Sequence, residues 1–168
     1  RSVACQMRFT DILPIFTYGT LRGDFGEFGD RWGIVRRTSA TWRPALVRGF
    51  RLYQEKSSPY PFATHTGNSS DVVRGTLLEW TDADMNMQGL SWCDYIERVN
   101  PKEPETGDHY RRTVVDVEVS LSTEVLRAFM YHQSLPGAPE GLKYFPDGDW
   151  LAGRAMISRG ARPPVGVA

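Results

Sequence analysis

Two features of this chain carry residue types suited to moving a proton and holding an oxyanion. The first is Glu97. Along Asp82 to Arg98, Ala83, Met87, Leu90, Cys93 and Glu97 share one sector at helical spacing, so a carboxylate closes a mostly apolar stripe. A carboxyl held in apolar surroundings has its pKa lifted toward neutrality, where it can take up and return a proton. Asp94 lies near the same stripe as the rival acid, and the non-catalytic alternative for Glu97 is an ion pair with Arg98, Arg111 or Arg112. The second feature is Tyr18-Gly19-Thr20-Leu21, where the apolar run from Ile12 stops abruptly. Gly19 lets the chain turn without a Cβ, so successive amides can point at one bound oxygen, with the hydroxyls of Tyr18 and Thr20 beside it. A plain turn is the alternative there.

His65, His109 and His132 are scattered, and no Ser/His/Asp arrangement follows from them. Cys5 and Cys93 belong to no Cys-x-x-Cys or Cys/His cluster, so reduced thiols are expected, with no metal and no cofactor.

The elements that must position these groups are legible from pattern. Ile12 to Thr17 reads as a buried strand delivering the Tyr18 loop to the rim of a sheet. Arg22 to Arg37 is rich in glycine and reads as a loop closing near the pocket, with a short helix possible over Trp32 to Arg37. Thr41 to Tyr53 reads as one strand bent at Gly49, with its start placed at an edge by Pro44, and Tyr60 to Ala63 as a short extended piece. Asp71 to Trp80 is a strand, and Thr81 with Asp84 imitates a capping box that starts the helix at about Asp82. A second apolar stripe through Met85, Trp92 and Ile96 predicts that this helix is covered on two sides. Asn100-Pro101 ends it, and Thr113 to Val119 and Val125 to His132 then form a hairpin. Ala138 to Asp147 reads as loop.

The 168 residues bound the chain to one domain, with a core over about 12–157 and a loosely packed tail over 158–168. No apolar run approaches the roughly 20 residues that span a bilayer. Lys plus Arg and Asp plus Glu balance at 20 each, so no basic field invites nucleic acid, and neither nucleic acid nor membrane is an expected partner. The N-terminus lacks the apolar h-region of a secretory signal, which predicts a cytoplasmic location.

Tyr18-Gly19-Thr20-Leu21-Arg22 resembles the Y-G-[ST]-L signature of the γ-glutamylcyclotransferase-like (AIG2-like) family. Leu90-Ser91-Trp92-Cys93-Asp94-Tyr95-Ile96-Glu97, then Asn100-Pro101, then Tyr110-Arg111-Arg112, is similar to the family's pattern around its catalytic glutamate. Smaller landmarks agree in order, among them Gly49-Phe50, Tyr60-Pro61-Phe62-Ala63, Ala128-Phe129-Met130-Tyr131 and Gly148-Asp149-Trp150. The glycine that often follows the family's glutamate is Arg98 here. The resemblance implies an α+β fold, a small, mostly antiparallel or mixed barrel-like sheet with a few short helices. It also implies cyclisation of a γ-glutamyl small molecule to 5-oxoproline with release of an amine. Glu97 would be the general acid and base, with Tyr18, Gly19, Thr20, Leu21 and Tyr131 binding substrate. A noncatalytic member that keeps the pocket to bind a small ligand or regulate a partner is the alternative.

Overall fold

Ile15–Thr17 forms β1, a strand buried on both faces, and that burial is why the run shows no polar alternation. Ile15 packs on one side with Ile34, Leu78 and Cys93, while Phe16 packs on the other with Val47, Leu77 and Met130. The structure, a computed structural model, describes residues 13–25, 33–107, 109–134 and 141–154. The tail expected over 158–168 lies outside the described residues. So does Cys5.

After β1 come α1 (Ile34–Thr38), β2 (Thr41–Arg48), β3 (Phe50–Glu55), β4 (Pro61–His65), β5 (Val72–Glu79) and α2 (Ala83–Glu97). The chain continues as β6 (Arg111–Val119), β7 (Val125–His132) and β8 (Leu142–Phe145), and a helical turn opens at Trp150. Strands β1, β5, β2, β6 and β7 close into a barrel in that order. Every pair is antiparallel except β1 with β7, so the barrel is mixed. A second sheet, ordered β4, β3, β8, stands beside it. The fold is α+β, as the sequence predicts.

Three local expectations need correction. Thr41 to Tyr53 is not one bent strand, because Gly49 at φ 85° passes the chain from the barrel into the second sheet. Its amide donates to the Asp71 carbonyl at 2.8 Å and its carbonyl accepts from Thr66 and Gly67, so the crossing is fully bonded. The helix cap is Asp82 rather than Thr81, since the Asp82 carboxylate accepts from the Met85 amide at 2.9 Å. The supposed loop over Ala138 to Asp147 contains β8, whose Phe145 stands opposite Leu52 of β3. Four residues are too few to show a period.

Helix α2 covers the barrel with Asn86, Gly89, Cys93 and Asp94, while Met87 and Trp92 remain exposed. The expected stripe through Ala83 and Met87 is therefore rotated toward Asp94. Its last residue is Glu97, and the next, Arg98, has φ 56°. A side chain in this left-handed region costs on the order of 1 kcal/mol relative to glycine. Backbone bonds from the Arg98 amide to the carbonyls of Asp94 and Tyr95 close the helix there.

Candidate functional site

Where β1 leaves the barrel, Tyr18 to Leu21 turn beneath β4 and line a cavity of about 440 Å³. The turn is closed by the Arg22 amide donating to the Gly19 carbonyl at 3.1 Å. Gly19 is not in the left-handed region. What excludes a side chain is Pro61, whose Cγ and Cδ would stand 2.9 and 3.1 Å from an added Cβ. Among the described residues, the amides of Gly19 and Leu21 donate no hydrogen bond, so both remain available to a bound oxygen.

The loop is anchored from below. Arg22 is buried and donates to both oxygens of Asp24 at 2.7 and 2.8 Å and to Asp149 at 2.9 Å. Gly23 donates to the Thr76 hydroxyl at 2.9 Å, which in turn lies 2.8 Å from the Thr17 hydroxyl. The Gly148-Asp149-Trp150 landmark thus meets the Tyr18 loop through one guanidinium. Nothing in local spacing announces that pair.

Tyr18 reaches the cavity wall, but its hydroxyl donates to the Tyr131 carbonyl at 2.7 Å and accepts from the Ala63 amide at 3.1 Å. Its proton is committed to backbone rather than held toward the cavity. Burial raises its pKa first, and the charges of Tyr110 and Glu97 add to that. Tyr131 also lines the cavity, and its hydroxyl donates to Asp94 at 2.7 Å. Thr20 lies on the same wall.

The two acids of α2 separate cleanly. Asp94 is buried, accepts from Arg112 at 2.9 and 3.3 Å, and holds Tyr131 as well. The β6–β7 register places Arg112 directly opposite Tyr131, so both side chains meet the helix on one face of the sheet. Glu97 sits one turn further along and lines the cavity. Among the described residues it has neither ion pair nor hydrogen bond, since Arg112 is taken by Asp94 and Arg111 reaches Ser134. Burial alone pushes the Glu97 carboxyl from 4.5 to about 7. Its place in the last turn of α2, at the negative end of the helix dipole, also disfavours the anion.

The cavity wall includes residues that sequence reasoning passed over as site residues: Glu55, Pro61, Ile96, Arg98, His109 and Tyr110. Tyr110 donates its hydroxyl to the Pro61 carbonyl at 2.9 Å, and its pKa is raised by burial and then by Glu97. Its place in the Tyr110-Arg111-Arg112 landmark was the available signal. Among the described residues no group of three or more His, Cys, Asp or Glu could hold a metal ion. Nor is any helix among them long and apolar enough to cross a membrane.

Fold and cavity together define a mixed-barrel α+β protein with a site of small-ligand size around one desolvated acid. The chain belongs to the γ-glutamyl cyclotransferase, AIG2-like family, whose model matches residues 15–152. Among solved structures, it resembles an AIG2-like protein from Mus musculus at 20% identity and TM-score 0.57, covering 80% of this chain and 86% of that one. It also resembles At3g28950.1 from Arabidopsis thaliana at 21% identity and TM-score 0.52, covering 93% and 92%. YkqA from Bacillus subtilis matches at 16% identity and TM-score 0.56, and there 90% of this chain spans only 44% of the longer partner. At such identities the likeness is one of fold. A comparison with curated protein sequences returned no match.

Proposed function

We propose that this protein is a γ-glutamylcyclotransferase-type enzyme that converts a γ-glutamyl small molecule to 5-oxoproline and a free amine. The observation that carries this is Glu97, a cavity-lining carboxyl raised to about 7 with no counter-ion among the described residues. A site that only bound its ligand would have no use for such an acid. In the reaction the substrate's α-amine nitrogen forms a bond to its own γ-carbonyl carbon, and the bond from that carbon to the leaving nitrogen breaks. Glu97 takes a proton from the attacking ammonium, freeing the lone pair, and returns it to the leaving nitrogen as the tetrahedral intermediate collapses, while the second proton shed by the ring nitrogen leaves through the same carboxylate to the released amine, which departs as an ammonium. A pKa near 7 leaves both forms of the carboxyl populated at neutral pH. Amides of Gly19 to Leu21 serve a substrate oxygen, and Tyr18 and Tyr131 hold that loop against β4 and α2. Because nucleophile and carbonyl lie in one molecule, keeping the glutamyl chain bent supplies an orientation advantage of roughly 7–11 kcal/mol in favourable cases.

The test is release of 5-oxoproline in step with free amine from a panel of γ-glutamyl amides, run beside Glu97→Gln. The variant is expected to keep its fold and ligand affinity and to lose about 10² to 10⁴ in kcat, the usual worth of a general acid-base group. No 5-oxoproline from any member of the panel, or a fully active Glu97→Gln, removes the proposal.

A further inference from the structure

One stripe of α2 faces away from the barrel. At 100° per residue, Asp84, Met87, Ser91, Tyr95 and Arg98 fall within a sector of about 80°, and all five are exposed. Met87 and Tyr95 give the stripe an apolar centre, at 45% and 75% exposure. Tyr95 is held from the side, since it stacks on Trp92 with ring centroids 5.8 Å apart, and the Arg37 guanidinium of α1 lies 5.3 Å from the centre of the Trp92 ring. An aromatic side chain already fixed in this way loses little freedom when it is covered. The two ends of the stripe carry opposite charges. Among the described residues neither Asp84 nor Arg98 has an ion pair. At about 1.5 Å of rise per residue they stand roughly 21 Å apart, too far to meet each other.

Ser91 is the midpoint of the stripe. Met87 and Tyr95 lie four positions to either side of it, and Asp84 and Arg98 lie seven. A second copy of α2 laid antiparallel across Ser91 therefore brings Asp84 against Arg98 and Met87, a thioether, against the Tyr95 ring, each pair twice over through the two-fold axis. The small serines meet at the axis and let the backbones approach, and the two helix dipoles lie head to tail. A parallel pairing would instead set Asp84 on Asp84 and Arg98 on Arg98. We propose that this protein self-associates through the exposed stripe of α2, as a two-fold dimer whose helices run antiparallel and cross at Ser91. Arg36 and Arg37, the basic residues that end α1, stand on the flank of the stripe, where Arg37 is engaged with Trp92. An interface built mainly on one helix of 15 residues falls short of the roughly 1,600 Å² of a standard one, so the dimer is weak, with a Kd on the order of 10–100 µM. Arg98 also lines the cavity, so the seam passes its mouth and Asp84 of the partner subunit stands there. This association is independent of the reaction the cavity supports.

Analytical ultracentrifugation of the wild-type chain from about 5 µM to about 1 mM should show a monomer–dimer equilibrium that weakens as salt is added. Asp84→Lys sets a lysine against Arg98, and Arg98→Glu sets a glutamate against Asp84, so each variant alone should bind itself at least about tenfold more weakly. Mixed in equal amounts, the two should associate with close to wild-type strength, because in the mixed dimer each altered side chain meets the other and each unaltered one meets its native partner. Tyr95→Ala should weaken the dimer by about tenfold or more, as loss of a central aromatic does. All these positions are exposed, so the variants should share the wild-type melting temperature. A wild-type chain that stays monomeric to about 1 mM overturns the proposal. So does a dimer that neither charge change weakens, or one that mixing the two variants fails to restore.

Discussion

Replacing Glu97 by Gln should make the protein more stable at pH 8 even as it stops turnover. In the folded chain burial lifts this carboxyl from 4.5 to about 7, so the native state binds its proton more tightly than the unfolded chain does. A raised carboxyl contributes no penalty below pH 4.5, where both states are protonated. Between pH 4.5 and about 7 the unfolded chain ionises first and stability falls, and above 7 the loss is constant. At about 1.4 kcal/mol per tenfold in proton affinity, that interval corresponds to an upper bound of about 3.4 kcal/mol. Glu97 is only half-buried, and water reaching it should reduce the figure to about 1–2 kcal/mol. Gln keeps the shape and carries no charge to desolvate. Urea unfolding of both proteins from pH 4 to 9 should therefore give coincident midpoints near pH 4, a gap opening in favour of Glu97→Gln up to about pH 7, and a plateau beyond. A variant less stable than wild type at pH 8 would refute the reasoning, because it would show that the anion has a partner worth more than its desolvation.

In the cyclotransferase assay kcat/KM should fall about tenfold per pH unit below about 7, as the free enzyme's base is titrated, and a limb near 4.5 would mean the cavity does not desolvate Glu97. Gly19→Val should cost at least 10² in kcat while leaving the melting temperature little changed, because its Cβ drives the loop off Pro61 and displaces the amides proposed to hold the substrate oxygen. Full activity would reduce this loop to a plain turn. Asp94→Asn should destabilise by about 3 kcal/mol in urea, since it leaves the buried Arg112 without its counter-charge. A neutral effect would show that Tyr131 and solvent suffice.

What could be read from the sequence was what depends on neighbours along the chain. The uninterrupted apolar run into Tyr18 betrayed a strand covered on both sides, and valines at alternate positions fixed the inner face of β6. The acid at 97 stood out because it ends an apolar stripe. Asp94 was harder, for its burial depends on Arg112, 18 residues away, and on a strand register that sets Arg112 opposite Tyr131. The same holds for Gly49. A bend and a passage between sheets look alike in one dimension, and only the pairing of β3 with β4 and β8 tells them apart. At Gly19 a side chain is excluded by a proline ring 42 positions on rather than by the backbone angle of the turn, and no local spacing announces that contact.

The Tyr18 hydroxyl has a consequence for how the molecule assembles. It ties the barrel to the second sheet by accepting from Ala63 and donating to Tyr131, partners 45 and 113 residues away in the chain. Contacts of such separation form late, because the long loops between them must close before any gain is felt. A collapsed chain with its barrel formed and the second sheet undocked has helix, strands and a core, yet Pro61 is not over Gly19 and no chamber exists. The pocket is thus a record of complete folding, since the two sheets that wall it meet only once the Tyr18 hydroxyl has found both Ala63 and Tyr131.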